Sequence, residues 1–558
     1  MRIVDARRLR GPSLGTDGPG AIVEVALSRG EDPKRVARKW RDVVRYVASV
    51  LRREAMGEGA RVRTFRGGLA LYVPAPIDAL HAALDLVELG VDAVSQILAG
   101  TPFYMQRHAR RERELLREFV RERRPRLLAL ERAARVRGVP FLFDDESVTL
   151  GHAAKAVTYP LDALPSAEHV RWRALDRIPV ALVTGTNGKT TTTRLVARMA
   201  KLAGLIPGNT SSDGVAIDER IVEAGDSTGG ESARQVLRDP RVEIAILETA
   251  RGGLLRRGLA VRDVDAALIT NVSADHLGEH GVLDVATLAE TKAVVGHAVR
   301  RGGKVVLGAD DRELVRLAPT FAAERVWFAA SARAARRAIE SGETTFTIEQ
   351  GAIVRVRGDE RRVLAALDDV PLTHAGAAPH NVKNALAAAA LAWALGLPDD
   401  AVVAALKTFG LAAGDNPGRG QVITTSVGVR VVLDFGHNPA AAIDLYAWAR
   451  TLAGAKGRVH AVLTQPGDRS DRAMQSFARA VAQSRIDSAV LWESESLLRG
   501  REPRETTAIL RRALRAAGLG PRAITVAEGE ASAVRAALDR ARRGDVVVVS
   551  PSLDRSVP

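Results

Sequence analysis

Seven consecutive residues, Gly185-Thr186-Asn187-Gly188-Lys189-Thr190-Thr191, follow an apolar run at 180–183 and precede a helix expected over 192–203. A glycine-rich turn between strand and helix aims several backbone N–H groups at one point, which makes a site for phosphate. Lys189 has the length to reach terminal phosphates, and the Thr190 hydroxyl can bind Mg²⁺, so ATP with Mg²⁺ is the expected occupant. The usual phosphate-loop spacing puts a glycine where this chain has Val183. The other reading is a plain glycine-rich connection, which the Lys-Thr-Thr triplet disfavours.

Further chemistry-bearing residues follow other apolar runs. Glu248 ends the run 244–247 and is placed to hold a metal on the phosphates, because ligands in open α/β sheets bind at the carboxyl ends of strands. Taken alone, such a glutamate is as often structural. Arg251, Arg256 and Arg257 come next and suit a carboxylate or a phosphate. His276 stands in Thr270-Asn271-Val272-Ser273-Ala274-Asp275-His276, after the run 266–269. Lys292 falls on an expected helix, where a solvated lysine is the simpler alternative.

These residues need a sheet to hold them. The runs 180–183, 244–247, 266–269 and 305–307 are short and almost wholly apolar, with helical stretches between. That pattern predicts parallel strands buried on both faces, in a doubly wound α/β domain over 177–414. A smaller, Rossmann-like α/β domain is expected over 415–558, with strands at 430–433, 459–463, 488–491, 523–526 and 545–549. Residues 1–176 read as an α+β domain, with strands at the start and at 21–27. A charged helical stretch at 106–137 should break into two helices at Pro125.

The chain has 558 residues, 46% hydrophobic and 26% charged, with no Cys and a formal charge of +15. The absence of Cys excludes disulfides, thiolate metal sites and a Cys nucleophile. Aromatic residues make up only 4%, so the positive charge lacks the stacking platforms of single-strand binders, and no nucleic-acid partner is expected. With no long apolar run, neither a membrane span nor a membrane partner is expected, and the location expected is cytoplasmic.

Taken together, the motifs resemble the Mur ligase family, and within it the ligase module of the cyanophycin synthetases. The resemblance rests on the short Gly-Thr-Asn-Gly-Lys-Thr loop, on Gly225-Asp226-Ser227-Thr228-Gly229 and Ser232-Ala233-Arg234, and on 248–259 and 270–278. It extends to Asn416-Pro417-Gly418-Arg419, Asp434-Phe435-Gly436-His437-Asn438-Pro439-Ala440 and Pro466-Gly467-Asp468-Arg469. It implies that Lys189 and Thr190 serve the ATP phosphates and a first Mg²⁺, which Glu248 also ligates. His276 would help hold a second Mg²⁺, supported by Lys292 at a position that is often carbamylated. Asn384 matches the position that contacts adenine. Arg419 and Asp434, with His437 and Asn438 beside them, would close over the nucleotide.

The activity implied is formation of an amide from a carboxylate and an amine through an acyl phosphate. Arginine joined to an aspartate-type carboxylate, on a peptide or polymer, is one form of it. Cyanophycin synthetases also carry an ATP-grasp domain, of which 132–151 resembles only the entry, so that second ligase site is expected to be missing. A homo-oligomer and a separate ATP-grasp ligase are further expected partners. The competing readings are a P-loop NTPase of another class, and a non-catalytic partner subunit of an ATP-grasp enzyme.

Overall fold

The structure is a computed structural model and describes residues 1–551; the end of the expected 415–558 region, 552–558, lies outside the described residues. At its centre is an eleven-stranded sheet. Pairing is parallel from Pro207–Ser211 through Ile244–Glu248, Val180–Thr184, Val264–Ile269, Val299–Gly308 and Glu324–Ala329 to Thr345–Glu349. In Val180–Thr184 every residue is buried, and alternate side chains serve opposite cores. Val180 and Leu182 join Ala233, Val236, Leu288 and Ala289 on one face. Ala181 and Val183 join Leu195, Val196, Ala385 and Leu386 on the other. Helices thus cover both faces, which is why these strands read as continuous apolar runs.

The strands expected at 180–183, 244–247, 266–269 and 305–307 are parallel, and antiparallel strands that the sequence did not mark extend the sheet at both edges. Gly214–Ile217 and Arg220–Ala224 extend one edge antiparallel, and Ala352–Arg357 and Glu360–Ala366 extend the other. The turns responsible hold non-glycine residues in the left-handed region, with Asp218 at φ 52° and Glu219 at φ 65° in one, and Gln350 at φ 49° before Gly351 at φ 75° in another. Two-residue turns of that hand match the twist of paired strands. Neither carries the Asn-Gly or Asp-Gly dipeptide that would have marked it.

The N-terminal sheet has four antiparallel strands, in the order Arg2–Leu9, Gly20–Ala26, Gly68–Pro74, Arg61–Phe65. Helices Pro33–Val50 and Leu80–Leu98 pack with it around the fully buried Trp40. Pro125 opens helix Pro125–Arg137 after helix Ala109–Glu122 ends, because a proline tolerates the first turn of a helix and not its interior. A three-stranded antiparallel sheet, Phe141–Phe143, Ser147–Leu150 and Val157–Pro160, lies in the short stretch between helix Pro125–Arg137 and the central strand Val180–Thr184. That segment leaves no room for an ATP-grasp domain.

The C-terminal sheet has six strands, in the order Arg419–Thr424, Arg430–Asp434, Val546–Val549, Val459–Leu463, Ser488–Glu493, Ile524–Glu528. Its first pair is antiparallel and the others are parallel. Among the described residues, no helix is long and apolar enough to cross a membrane.

Candidate active site

The carboxyl ends of three adjacent central strands converge because the strands are parallel and in register, with Glu248 beside Val183 and Ile269 beside Thr184. From this edge the chain runs Gly185–Gly188 and enters helix Lys189–Leu202. Gly185 and Gly188 have φ 151° and 84°. A Cβ at Gly185 would lie 1.8 Å from Thr270 Oγ1, and one at Gly188 2.1 Å from Asn384 Oδ1, so glycine is required twice over.

The neighbouring loop fixes this turn. Thr270 Oγ1 donates to the Asn187 carbonyl at 2.7 Å, and Thr186 N donates to the Asn271 carbonyl at 2.8 Å. Asn187 N donates to Asn271 Oδ1 at 3.0 Å. The helix has no side-chain cap at Gly188. Its first N–H groups are therefore left for an anion.

Glu248 is buried beneath this turn. Its carboxylate accepts from Thr190 Oγ1 at 2.7 Å and from Ser212 Oγ at 3.2 Å, with Lys189 Nζ at 4.0 Å. A hydroxyl, a carboxylate and an ammonium are thus gathered at the mouth of an anion site, a donor set that suits a hard divalent cation on phosphate. Lys292 is not solvated: it lies buried on helix Val285–His297 and donates to the Gly185 carbonyl at 2.7 Å. Burial, reinforced by the nearby Lys189 charge, holds its amine well below the usual lysine range.

A second cluster stands on the next loop. Ligand atoms of Asp275, His276 and His437 all lie within 4.8 Å of one another. One carboxylate and two imidazoles fit a divalent cation. Asp275 also pairs with Arg469 and lies 3.7 Å from His437 Nε2. Its carboxyl is held well below the usual range: burial opposes ionisation, but the hydrogen bond and charge of His437 and the charge of Arg469 overcome it. His276 is pulled down to about 4 by burial, which the attraction of Asp275 opposes and the Arg469 and Arg251 charges reinforce. The imidazole is therefore neutral, the form that ligates metals.

The remaining predicted residues are distributed as follows. Asn384 is buried on helix Pro379–Ala394, bonded to Asn381 at 3.1 Å and set against Gly188. Arg419 reaches Asp213 at 3.4 Å and lies over the Phe435 ring. Asp434 accepts from Gly436 N at 2.8 Å, within its own turn. His437 Nδ1 bonds the Phe435 carbonyl. Among the three arginines after Glu248, Arg251 is buried and pairs with Glu279 at 2.6 Å, whereas Arg256 and Arg257 are exposed.

Several contacts had no role assigned from sequence. Asn438 and Asn187 exchange side-chain hydrogen bonds at 2.7 and 3.3 Å, and Asn416 bonds Thr191 at 3.2 Å. These bonds tie the C-terminal part of the chain to the phosphate loop. Asn416, Asn438 and Asp275 all stand inside recognisable motifs; Ser212 carried no signal.

The model of the Mur ligase middle domain matches residues 183–392, and that of the Mur ligase, glutamate ligase domain matches 418–553. A UDP-N-acetylmuramate–L-alanine ligase of Stenotrophomonas maltophilia is 31% identical over 375 residues, 66% of this chain and 70% of that protein. The chain belongs to the Mur ligase family. A cyanophycin synthetase of Trichormus variabilis is 34% identical over 384 residues, which is 68% of this Mur ligase chain. The match covers only 42% of the cyanophycin synthetase. The structure of E. coli FolC in complex with ADP shares the fold, with a TM-score of 0.50 and 20% identity over 66% of this chain and 85% of that one.

Proposed function

We propose that this Mur ligase chain joins a carboxylate to an amine at the expense of ATP, through an acyl phosphate. The observation that carries the reading is the meeting of Thr190, Glu248 and Lys189 at the phosphate turn, with Asn438 reaching the same turn across the fold. On this reading residues 177–414 bind ATP, residues 415–558 close over it, and residues 1–176 form a third unit.

A carboxylate does not acylate an amine at neutral pH because its leaving group is too poor. Its oxygen attacks the γ-phosphorus, ADP departs, and a mixed anhydride remains. The neutral amine attacks the carbonyl carbon and loses a proton, and inorganic phosphate leaves with the former carboxylate oxygen. Divalent cations, Mg²⁺ being the proposed species, would neutralise charge on the transferred group.

Thr190 and Glu248 would hold the first cation, and Asp275, His276 and His437 the second. Lys189 would reach the transferred phosphoryl oxygens. Lys292, fully buried against the phosphate turn, would support the second cation as its carbamate. Asn384 would face the adenine, and Arg419 and Asp434 would meet the nucleotide. The bonds of Asn416 and Asn438 would keep water from the anhydride.

Resemblance to the cyanophycin synthetases supports arginine as amine and an aspartate-type side chain as acid. The test is a screen of amino acids against aspartate-containing peptides, read by phosphate release and product mass. Phosphate should form only when an acid and an amine are both present, and Lys189→Ala should be silent. Turnover of ATP without either substrate would defeat the proposal.

A further inference from the structure

The loop that presents Asp275 and His276 adopts an uncommon backbone. His276 and His280 have φ 48° and 51°, with Gly278 and Gly281 at 105° and 63°. A non-glycine residue in this region costs on the order of 1 kcal/mol or more and persists only where its surroundings over-determine it. The loop's own bonds are few: Gly278 N donates to the Val282 carbonyl, and Val282 N to that of Glu279.

The N-terminal sheet supplies the rest. From strand Arg61–Phe65, Arg63 donates to the Gly281 carbonyl at 2.7 Å and to that of His280 at 3.4 Å. From strand Arg2–Leu9, Arg7 bonds His280 Nδ1 at 2.7 Å and the Leu255 carbonyl at 2.7 Å. Leu255 lies on helix Arg251–Arg257, which follows Glu248. The same sheet therefore grips the loop that carries Asp275 and His276 and the helix that follows Glu248. Ligand atoms of Asp5, Glu24 and His280 lie within 4.8 Å of one another, as in a metal site. The cation among them is the Arg7 guanidinium, which pairs with both Asp5 and Glu24.

We propose that Arg63 and Arg7 form a clasp by which the N-terminal sheet holds the 276–281 loop in its left-handed form and so fixes the spacing of Asp275 and His276 from Glu248. Both are positioning residues, and the metal part of the inference rests on the ligand roles proposed above. The N-terminal unit thereby belongs to the reaction centre even if it never touches substrate.

Hydrogen exchange on the full chain tests this. In Arg63→Ala, amides of 276–282 should exchange about tenfold faster or more while the central sheet keeps its protection. Arg61→Ala, on the same strand and, among the described residues, ion-paired with Asp17 alone at the surface, should change nothing. Gly281→Ala should loosen the loop from the other side, since its Cβ would meet the Phe65 ring at 2.8 Å. Mn²⁺ affinity, read by electron paramagnetic resonance, should fall about 10–100-fold in Arg63→Ala, as for other residues that orient ligands. Unchanged loop exchange in Arg63→Ala and Gly281→Ala would overturn the clasp. Faster exchange with unchanged Mn²⁺ affinity would leave the clasp standing and remove the ligand roles of Asp275 and His276.

Discussion

At the scale of single residues, the phosphate turn is defined as much by what it excludes as by what it contains. Gly188 sits at φ 84° with Asn384 Oδ1 only 2.1 Å from where a Cβ would be. Gly188→Ala should therefore disturb both the turn and the asparagine proposed to face the nucleotide. ATP affinity measured by calorimetry should fall at least about tenfold, a loss of about 1.4 kcal/mol that matches the cost of the backbone conformation alone. Wild-type affinity would contradict the fit. The string Gly185–Thr191, Glu248 and His276 were legible because each is local: a few adjacent residues at the end of an apolar run. Asn438 against Asn187 was not, because 251 positions separate partners that only the folded chain brings together. The burial of Lys292 was also hidden, since one lysine on a helix reads as a solvated one until its neighbours are known.

At the scale of elements, the apolar runs located the parallel strands well. Their limits moved where polar residues join a strand: Val299–Gly308 begins well before the run at 305–307. Two of the edge hairpins stayed hidden because their turns, Asp218-Glu219 and Gln350-Gly351, lack the stronger dipeptides. One join between elements makes a prediction about acid stability. Asp144, in the turn after strand Phe141–Phe143, accepts from Arg238 of helix Gly230–Arg238 at 2.7 Å. Burial disfavours its charge, yet hydrogen bonds from the Glu146 and Ser147 backbone and from Arg238 hold its pKa at about 2, below the ordinary aspartate range. A lowered carboxyl stabilises the fold fully above its unfolded pKa and loses that contribution as pH falls through its folded one. Urea midpoints of the wild type should thus drop between pH 4 and 2 more steeply than those of Asp144→Asn. Parallel profiles would show that this join contributes nothing.

At the scale of the whole molecule, three sheets meet at the proposed reaction centre. The central sheet brings Glu248 and the phosphate turn, the C-terminal sheet brings His437 and Asn438, and the N-terminal sheet holds the loop of Asp275 and His276. The general α/β plan was readable from strand–helix alternation, whereas the grip of Arg7 and Arg63 on distant carbonyls was not, since arginines on strands resemble any solvated face. On the proposed mechanism, a carboxylate is activated by phosphoryl transfer before the amine arrives. The most direct measurement uses the acid partner from the substrate screen, labelled with ¹⁸O in its carboxylate, and follows the released phosphate by mass. Phosphate carrying one ¹⁸O for each amide formed is the predicted result. Phosphate free of label, with amide still produced, would contradict the acyl phosphate and the function built on it.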